Sequence, residues 1–214
     1  WHVIKDNYQN EQLKISTFDG KNHEWESMNR KKIGDFDLGI ITFKTKDFYQ
    51  TARFGEIKTI EIGNKVYVSG FPLETSSIPV RLLRIIEGRV IANTELNIPD
   101  GYQLHYDNDT RTGMSGGGVF NEKGNLIAIH GRTEKNEANI NFYGKVLSTG
   151  INMGIPVNHY QKFINKEYVE IKNNTLLKAS DYLAKARTLV GKKGSEDMVI
   201  SLAESALKVE KSAE

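Results

Sequence analysis

Residues 113–131 read GMSGGGVFNEKGNLIAIHG, a serine set between glycines and followed by two short apolar runs. The runs Val119–Phe120 and Leu126–His130 are separated by a polar turn that contains Gly124. Short runs of β-branched or aromatic residues on either side of such a turn are typical of an antiparallel hairpin. The stretch therefore predicts β-structure directly after the glycine-flanked serine.

The same rhythm extends along most of the chain. Short runs rich in Val, Ile, Tyr and Phe alternate with Gly, Asn, Asp or Pro; they are Leu38–Phe43, Val66–Gly70, Val80–Ile86, Arg89–Ala92, Gln103–Tyr106 and Phe142–Val146. Many short, closely spaced strands favour antiparallel barrels over alternating βαβ units. Pro156, a residue typical of a first helical turn, and the apolar residues that follow it at helical spacing predict one helix there.

Composition sets broad limits on the class of protein. The 214 residues are 38% hydrophobic and 26% charged, which fits a folded chain of one large or two small domains. A net charge of +2 gives no reason to expect a nucleic-acid partner. The sequence has no apolar run long enough to span a membrane. The chain has no cysteine, which excludes disulfides, cysteine-ligated zinc and a thiol nucleophile, and is compatible with either redox compartment.

Ser115 is the strongest chemical signal in the sequence. A serine between glycines can expose its hydroxyl while neighbouring backbone N–H groups converge on one point, so that a nucleophile and an oxyanion hole arise together. A glycine-rich hairpin turn would give the same letters. The catalytic interpretation therefore requires a base and an orienting carboxylate elsewhere in the chain.

Candidates for both groups lie upstream. Asp37 directly precedes the apolar run Leu38–Phe43, where its carboxylate could accept an imidazole N–H, although an Asp there could equally cap a turn. Asp35 competes for the same role. The five histidines are His2, His23, His105, His130 and His159. His105 and His130 lie in strand-like runs, where local hydrogen bonds are the simpler explanation. His23 falls in a polar turn and His159 in a helix-like stretch, whereas His2 begins a short apolar run.

At these residues the chain resembles trypsin-like serine peptidases of the bacterial high-temperature-requirement (Deg/HtrA) kind. In that family the catalytic histidine opens a His-Val-Ile run, as at His2; the aspartate precedes an apolar strand, as at Asp37; and the nucleophile lies in Gly-x-Ser-Gly-Gly, as at Ser115. The resemblance covers roughly residues 1–165. It implies that Ser115 is the nucleophile, His2 the general base and Asp37 the orienting carboxylate, and that the N–H groups of Gly113 and Ser115 form the oxyanion hole.

The resemblance also implies substrate-binding positions. Asp109, six residues before Ser115, matches the position that lines the primary specificity pocket, where a carboxylate would favour Arg or Lys in the substrate. A surface turn is the alternative role for Asp109. Ile129, His130 and Gly131 match the strand edge that pairs with the substrate backbone, and His130 could then rim the pocket.

The family's fold predicts a mainly β protein with two antiparallel β-barrels. Because the sequence starts one residue before the expected catalytic histidine, the first barrel is expected to be truncated at its N-terminus. Residues 1–171 are assigned to this peptidase domain. Residues 172–214 are rich in Ala, Leu, Lys and Glu and predict a C-terminal α-helical hairpin. The hairpin partly resembles a tetratricopeptide repeat, the start of an array that could bind a protein partner; a plain hairpin is the alternative.

The sequence therefore predicts a serine endopeptidase that acts on protein or peptide substrates without a cofactor. A catalytically inactive peptidase fold, used with the helices as a protein-binding module, is the alternative function. A metal site at His105, Asp107 and Asp109 is the weaker interpretation of those residues, since aspartates are common in turns.

Overall fold

The computed structural model describes residues 1–5, 14–24, 30–140, 146–166, 180, 181, 183, 184, 200 and 204. The chain divides into two compact units, Trp1–Tyr160 and Gln161–Glu214. Most of the predicted hairpin 172–214, and the predicted strand Phe142–Val146 apart from its last residue, lie outside the described residues. No helix in the described part of the chain is both long and apolar enough to cross a membrane.

The first unit consists mainly of β-strands. In chain order they are β1 (Ile15–Ser16), β2 (Asn22–His23), β3 (Arg30–Lys32), β4 (Gly39–Ile41), β5 (Lys65–Gly70), β6 (Arg84–Asn93), β7 (Leu104–Tyr106), β8 (Gly118–Asn121), β9 (Leu126–Ile140) and β10 (Val146–Pro156). Short 3₁₀ turns occur at Ile57–Thr59 and Pro99–Gly101, and residues 158–166 form the helix α1. The prediction of a mainly β fold is confirmed.

Strands β5 to β10 close into a six-stranded antiparallel barrel. The order around it is β10-β7-β6-β5-β8-β9, and β9 returns to β10. Alternation along β5 directs Val66 and Val68 into the barrel, where both are fully buried. The interior is filled by apolar side chains from most of the strands and from the loop before β8; they include Val66, Val68, Val90, Leu104, Tyr106, Met114, Val119 and Ile127.

The first sixty residues are organised differently. Strands β1 and β2 form one two-stranded sheet, and β3 and β4 form another. Within the described ranges, therefore, one of the two predicted barrels is closed, and the N-terminal part is represented by two short hairpins.

One strand replaces two predicted ones. The sequence predicts separate strands at Val80–Ile86 and Arg89–Ala92, but β6 continues from Arg84 through Gly88 to Asn93. A Cβ at Gly88 would collide with the side chain of Asn108. Glycine is required there for close packing and not for a turn.

The end of the barrel also differs from the prediction. Pro156 was expected to open a helix, but it is the last residue of β10 and lies opposite Ala128. Proline has no backbone N–H to donate to a neighbouring strand, and at the end of a strand no hydrogen bond within the ladder is lost. The predicted helix follows directly as α1.

Candidate active site

The glycine-flanked segment before β8 is fixed by its methionine. Met114 is 1% exposed and packs in the barrel core against Gly70. Gly113 has φ +97° and Gly116 has φ +92°, a backbone region that favours glycine. This sharp turn sends Met114 inward and leaves Ser115 partly exposed at the surface of the barrel.

The loop that leads to Ser115 is tied to the barrel through Asn108. This side chain is 1% exposed and donates hydrogen bonds to the carbonyl oxygens of Val66 (3.1 Å) and Ile86 (2.6 Å). Asn152 on β10 donates to the carbonyl oxygen of Asn108 at 2.5 Å and accepts a hydrogen bond from Thr110. The loop therefore has a fixed position relative to two strands and to β10.

The side-chain hydroxyl of Ser115 and the backbone N–H groups near it differ in their hydrogen bonding. The Ser115 hydroxyl donates to the carbonyl oxygen of Gly131 on β9, 2.6 Å away. By contrast, the backbone N–H groups of Gly113 and Ser115 donate to no protein atom that the structure describes. An oxyanion hole requires such donors, and those of Gly113 and Ser115 have no partner among the described residues.

Asp37 lies at the turn between β3 and β4. The turn is anchored by two buried apolar residues, Ile33 and Leu38, and the Ile33 N–H donates to the carbonyl oxygen of Leu38 at 2.9 Å. The Asp37 N–H donates to the carbonyl oxygen of Asp100 at 2.9 Å. As a result the Asp37 side chain is only 9% exposed.

The Asp37 carboxylate accepts hydrogen bonds from His2 and Tyr102, and the N-terminal ammonium of Trp1 lies 3.0 Å from Oδ1. The His2 backbone N–H donates to Oδ1 at 2.7 Å, and the His2 ring Nδ1 lies 2.5 Å from Oδ2. The Tyr102 hydroxyl donates to Oδ2 at 2.7 Å, and Arg132 Nη2 is 3.6 Å from the same oxygen. Burial by itself would raise the pKa of the Asp37 carboxyl, but the bonds from Tyr102 and His2 outweigh it and hold the pKa well below its usual range. The carboxylate is therefore negatively charged at neutral pH.

His2 faces both Asp37 and the solvent. Because an ionised carboxylate only accepts, the proton of the neutral imidazole belongs on Nδ1, and the lone pair is on Nε2. Nε2 has no hydrogen-bond partner in the described part of the chain, and the side chain is 39% exposed. His2, Asp37, Gly113 and Ser115 line one cavity of 1120 Å³. The structure thus brings these four predicted residues together, without a hydrogen bond between His2 and Ser115.

Asp109 is placed away from this cavity. Its carboxylate is 82% exposed and lies 3.1 Å from Arg111 Nη2, in the loop before Ser115. The cavity lining on this loop begins at Thr110. The structure does not bring Asp109 to the other predicted site residues.

The remaining predicted residues lie on β9. Ile129 pairs with Gly118 of β8 and with Ile155 of β10, and His130 exchanges backbone hydrogen bonds with Gly116 and Gly117. The β9–β10 register skips Gly131, which sits in a β-bulge next to Ser115. Of the three predicted residues, Gly131 is therefore the one whose backbone is not paired in the β9–β10 register.

His130 is a buried neutral histidine. It is 3% exposed, and its Nδ1 lies 2.7 Å from the Tyr106 hydroxyl inside the barrel. Burial, and secondarily the nearby His2, lower the pKa of His130 to about 4. The ring also lines the cavity that holds Ser115, where it is uncharged at neutral pH.

Two residues at the site were not identified from the sequence. Tyr102 and Arg132 both approach the Asp37 carboxylate, and the Arg132 guanidinium lies 4.2 Å from the centre of the Tyr102 ring. Asp100 holds Arg132 through a 2.5 Å ion pair. None of the three residues belongs to a local sequence motif, because the tertiary fold brings them to Asp37 from distant parts of the chain.

The alternative metal site has no support in the geometry. His105 donates to the carbonyl oxygen of Tyr102 at 3.1 Å, and Asp107 accepts from the Arg89 N–H at 2.6 Å. Among the residues that the structure describes, no three His, Asp or Glu side chains converge as metal ligands.

Comparisons with known proteins show the family and the fold of the chain. A family profile described as trypsin-like peptidase domain matches residues 1–129. A solved structure described as "HtrA-type protease AlgW with decapeptide" superposes with a TM-score of 0.51 at 19% identity, over 68% of this chain. This chain spans 40% of the length of that protein. At 19% identity, the likeness shows the fold alone. No curated protein matches significantly. Because the profile covers more than half of its residues, the chain belongs to the family of trypsin-like peptidase domains.

Proposed function

We propose that this chain is a serine endopeptidase that cleaves peptide bonds through Ser115, His2 and Asp37. Membership of a peptidase family supports the proposal. A peptide substrate is further supported by the fold relative, which is described with a bound decapeptide.

The reaction follows from the arrangement of donors and acceptors. Ser115 Oγ attacks the carbonyl carbon while His2 Nε2 takes the hydroxyl proton, and the Asp37 carboxylate stabilises the resulting imidazolium. Hydrogen bonds from the N–H groups of Gly113 and Ser115 stabilise the negative charge that develops on the carbonyl oxygen. Collapse of the tetrahedral intermediate breaks the C–N bond, and the leaving amine takes the proton from Nε2. Water then attacks the acyl-enzyme by the same route, with no cofactor.

The observation that carries the proposal is the convergence of complementary groups on one cavity. His2 is held by Asp37 with Nε2 unpartnered, and the two N–H donors beside Ser115 are unpaired. The Ser115 hydroxyl bonds to Gly131 in the absence of substrate. Rotation about the Ser115 Cα–Cβ bond into another staggered rotamer exchanges this partner for His2 when a peptide binds.

A fluorophosphonate probe tests the proposal without knowledge of the substrate, because it reacts with activated serines. We expect the wild-type chain to be labelled, and Ser115→Ala and His2→Ala to lose labelling. Ser77→Ala, which removes an exposed serine in a turn outside the cavity, is the control and keeps full labelling.

A protein-binding module with an inactive peptidase fold is the second candidate. It is favoured by one observation, the hydrogen bond of Ser115 to Gly131 in place of His2. A folded wild-type chain that the probe does not label would overturn the peptidase proposal and favour this alternative.

For the remainder of the chain we propose the domain division predicted from the sequence. Hairpins β1–β2 and β3–β4 belong to a first barrel within the peptidase domain, 1–171. Residues 172–214 are a helical hairpin that resembles the start of a tetratricopeptide array and binds a protein partner. Helical backbone at 180, 181, 183, 184, 200 and 204 supports the hairpin. Far-UV circular dichroism of the whole chain tests it: helix limited to about the length of α1 would contradict it.

A further inference from the structure

Cationic side chains surround the cavity that contains Ser115. Five of its lining residues are basic: Lys5, Lys32, Arg111, Arg132 and Lys135. They come from four separate parts of the chain, namely the segment after His2, strand β3, the loop before Ser115, and β9. The positive charge therefore lies on several sides of the cavity and is not the property of one loop.

The acidic residues at the cavity are already engaged. Two carboxylates line it, Asp37 and Asp100. Asp37 accepts hydrogen bonds from His2 and Tyr102, and Asp100 forms a 2.5 Å ion pair with Arg132. Neither carboxylate is left to neutralise the other cations.

Lys32 and Lys135 carry the uncompensated charge. Both side chains are exposed, and neither pairs with a carboxylate of any residue that the structure describes. Among the described residues, Arg111 pairs with one carboxylate, that of the exposed Asp109, which does not line the cavity. Because Lys32 and Lys135 are exposed, the desolvation penalty for an anion that pairs with them is smaller than it would be at a buried site.

The high density of basic residues is local to the cavity. The whole chain is nearly balanced, with 29 basic and 27 acidic residues. A general basic character therefore does not explain five cations around one cavity. A cleft lined by charges of one sign raises the local concentration of the opposite sign and steers it inward.

We propose that this cleft selects peptides that carry an Asp or Glu side chain beside the cleaved bond. The inference deepens the proposed peptidase function and rests on it. It differs from the prediction based on Asp109, which would favour Arg or Lys: in the structure Asp109 is turned to solvent, whereas the cavity is lined by cations. Lys32 and Lys135 attract the acidic side chain, and Arg132, fixed by Asp100 and Tyr102, supplies a positive group of constant position.

Binding to the Ser115→Ala variant tests the inference without turnover. Fluorescent alanine-based peptides that differ only in one central residue, Glu, Gln or Lys, are titrated and followed by anisotropy. We expect the Glu peptide to bind about fivefold more tightly than the Gln peptide at low salt, with Lys the weakest, and the difference to shrink as salt rises.

Charge-removal variants assign the preference to residues. Lys32→Gln combined with Lys135→Gln, in the Ser115→Ala background, is expected to reduce the Glu-over-Gln ratio to near one. Lys123→Gln removes an exposed lysine from the turn between β8 and β9, outside the cavity, and is expected to leave the ratio unchanged.

The outcomes separate the two proposals. Equal binding of the three peptides, or tighter binding of the Lys peptide, would overturn the acidic preference; a Lys preference that Asp109→Asn abolishes would return the role to Asp109. A Glu preference that survives in the Lys32/Lys135 double variant would also overturn the assignment. Failure of the peptidase function itself would show separately, as absence of fluorophosphonate labelling at Ser115.

Discussion

The two halves of the candidate active site are held in place by different means. Ser115 belongs to a closed barrel, in which Met114 fills the core and Asn108 bonds to two strands. His2 belongs to the N-terminal region, where the described strands are two or three residues long. The proposed nucleophile is therefore positioned by a packed core, whereas the side chain of the proposed base is oriented by a hydrogen bond to one carboxylate, that of Asp37.

The comparison also shows how the two halves are connected. Asp37 is itself held by side chains from the barrel side, Tyr102 and Arg132. The barrel thus orders the base indirectly, through a buried carboxylate. Loss of the carboxylate should affect catalysis more than folding, while loss of barrel packing should affect both.

The largest effect is expected for Asp37→Asn. The amide cannot stabilise the imidazolium and favours the wrong His2 tautomer, so peptide hydrolysis should fall by about 10⁴-fold. Asp35→Asn, two residues away and exposed, is the matched control. A loss of less than about tenfold with Asp37→Asn, measured as kcat/KM, would mean that the base does not depend on this carboxylate.

Glycine substitutions compare the rigidity of the two regions. A Cβ at Gly117 would meet the carbonyl oxygen of Ser69 in the barrel backbone, whereas at Gly39 it would lie 2.9 Å from the ends of the Ile4 and Trp1 side chains. We expect Gly117→Ala to lower the free energy of unfolding by about 3 kcal/mol and Gly39→Ala by about 1 kcal/mol. Urea unfolding measures both; equal losses would contradict the difference in rigidity.

The pH dependence of stability separates a barrel group from an N-terminal one. The pKa of His130 is about 4 in the folded chain, below its value of about 6.5 when unfolded. The unfolded state therefore binds more protons, and stability should fall by on the order of 2 kcal/mol as pH drops from about 6.5 towards 4. His130→Gln should remove this fall.

Asp37 affects the stability of the fold at lower pH than His130 does. Its pKa is depressed in the folded state, so its contribution is present above about pH 4, the ordinary Asp pKa, and is lost as pH falls further. Urea midpoints measured between pH 7 and 3 distinguish the two groups. An unchanged slope above pH 4 in His130→Gln would contradict the assignment to His130.

The smallest effect is expected for Tyr102→Phe. It removes one of the hydrogen bonds to Asp37, which should raise the pKa of that carboxyl and lower kcat by about tenfold. Tyr160→Phe keeps a ring against Phe54 and is the control. Carbon NMR titration of the Asp37 carboxyl checks the pKa, and an unchanged value would show that Tyr102 does not support it.

The sequence predicted the parts of the site that belong to local patterns. Ser115 follows from its glycines, and most strands follow from short apolar runs. His2 and Asp37 came from family resemblance, since neither position has a decisive local signal. Tyr102 and Arg132 could not be predicted, because they belong to no local motif and the tertiary fold brings them to Asp37 from distant parts of the sequence. Gly88 misled the strand prediction, since a glycine needed for contact with Asn108 has the same letter as one in a turn.

The orientation of Asp109 illustrates the same limit. Its position relative to Ser115 matches a pocket residue, but spacing does not determine which way a side chain points from a loop. In the structure the Asp109 side chain is exposed and lies 3.1 Å from Arg111 Nη2.

A crystal structure of the chain after reaction with a fluorophosphonate tests the central claim most directly. We predict a phosphoryl group on Ser115 Oγ, one oxygen of which accepts hydrogen bonds from the N–H groups of Gly113 and Ser115. His2 is expected to remain paired with Asp37, with Nε2 directed at the adduct. An unmodified Ser115, or an adduct whose oxygen points away from both N–H groups, would contradict the account.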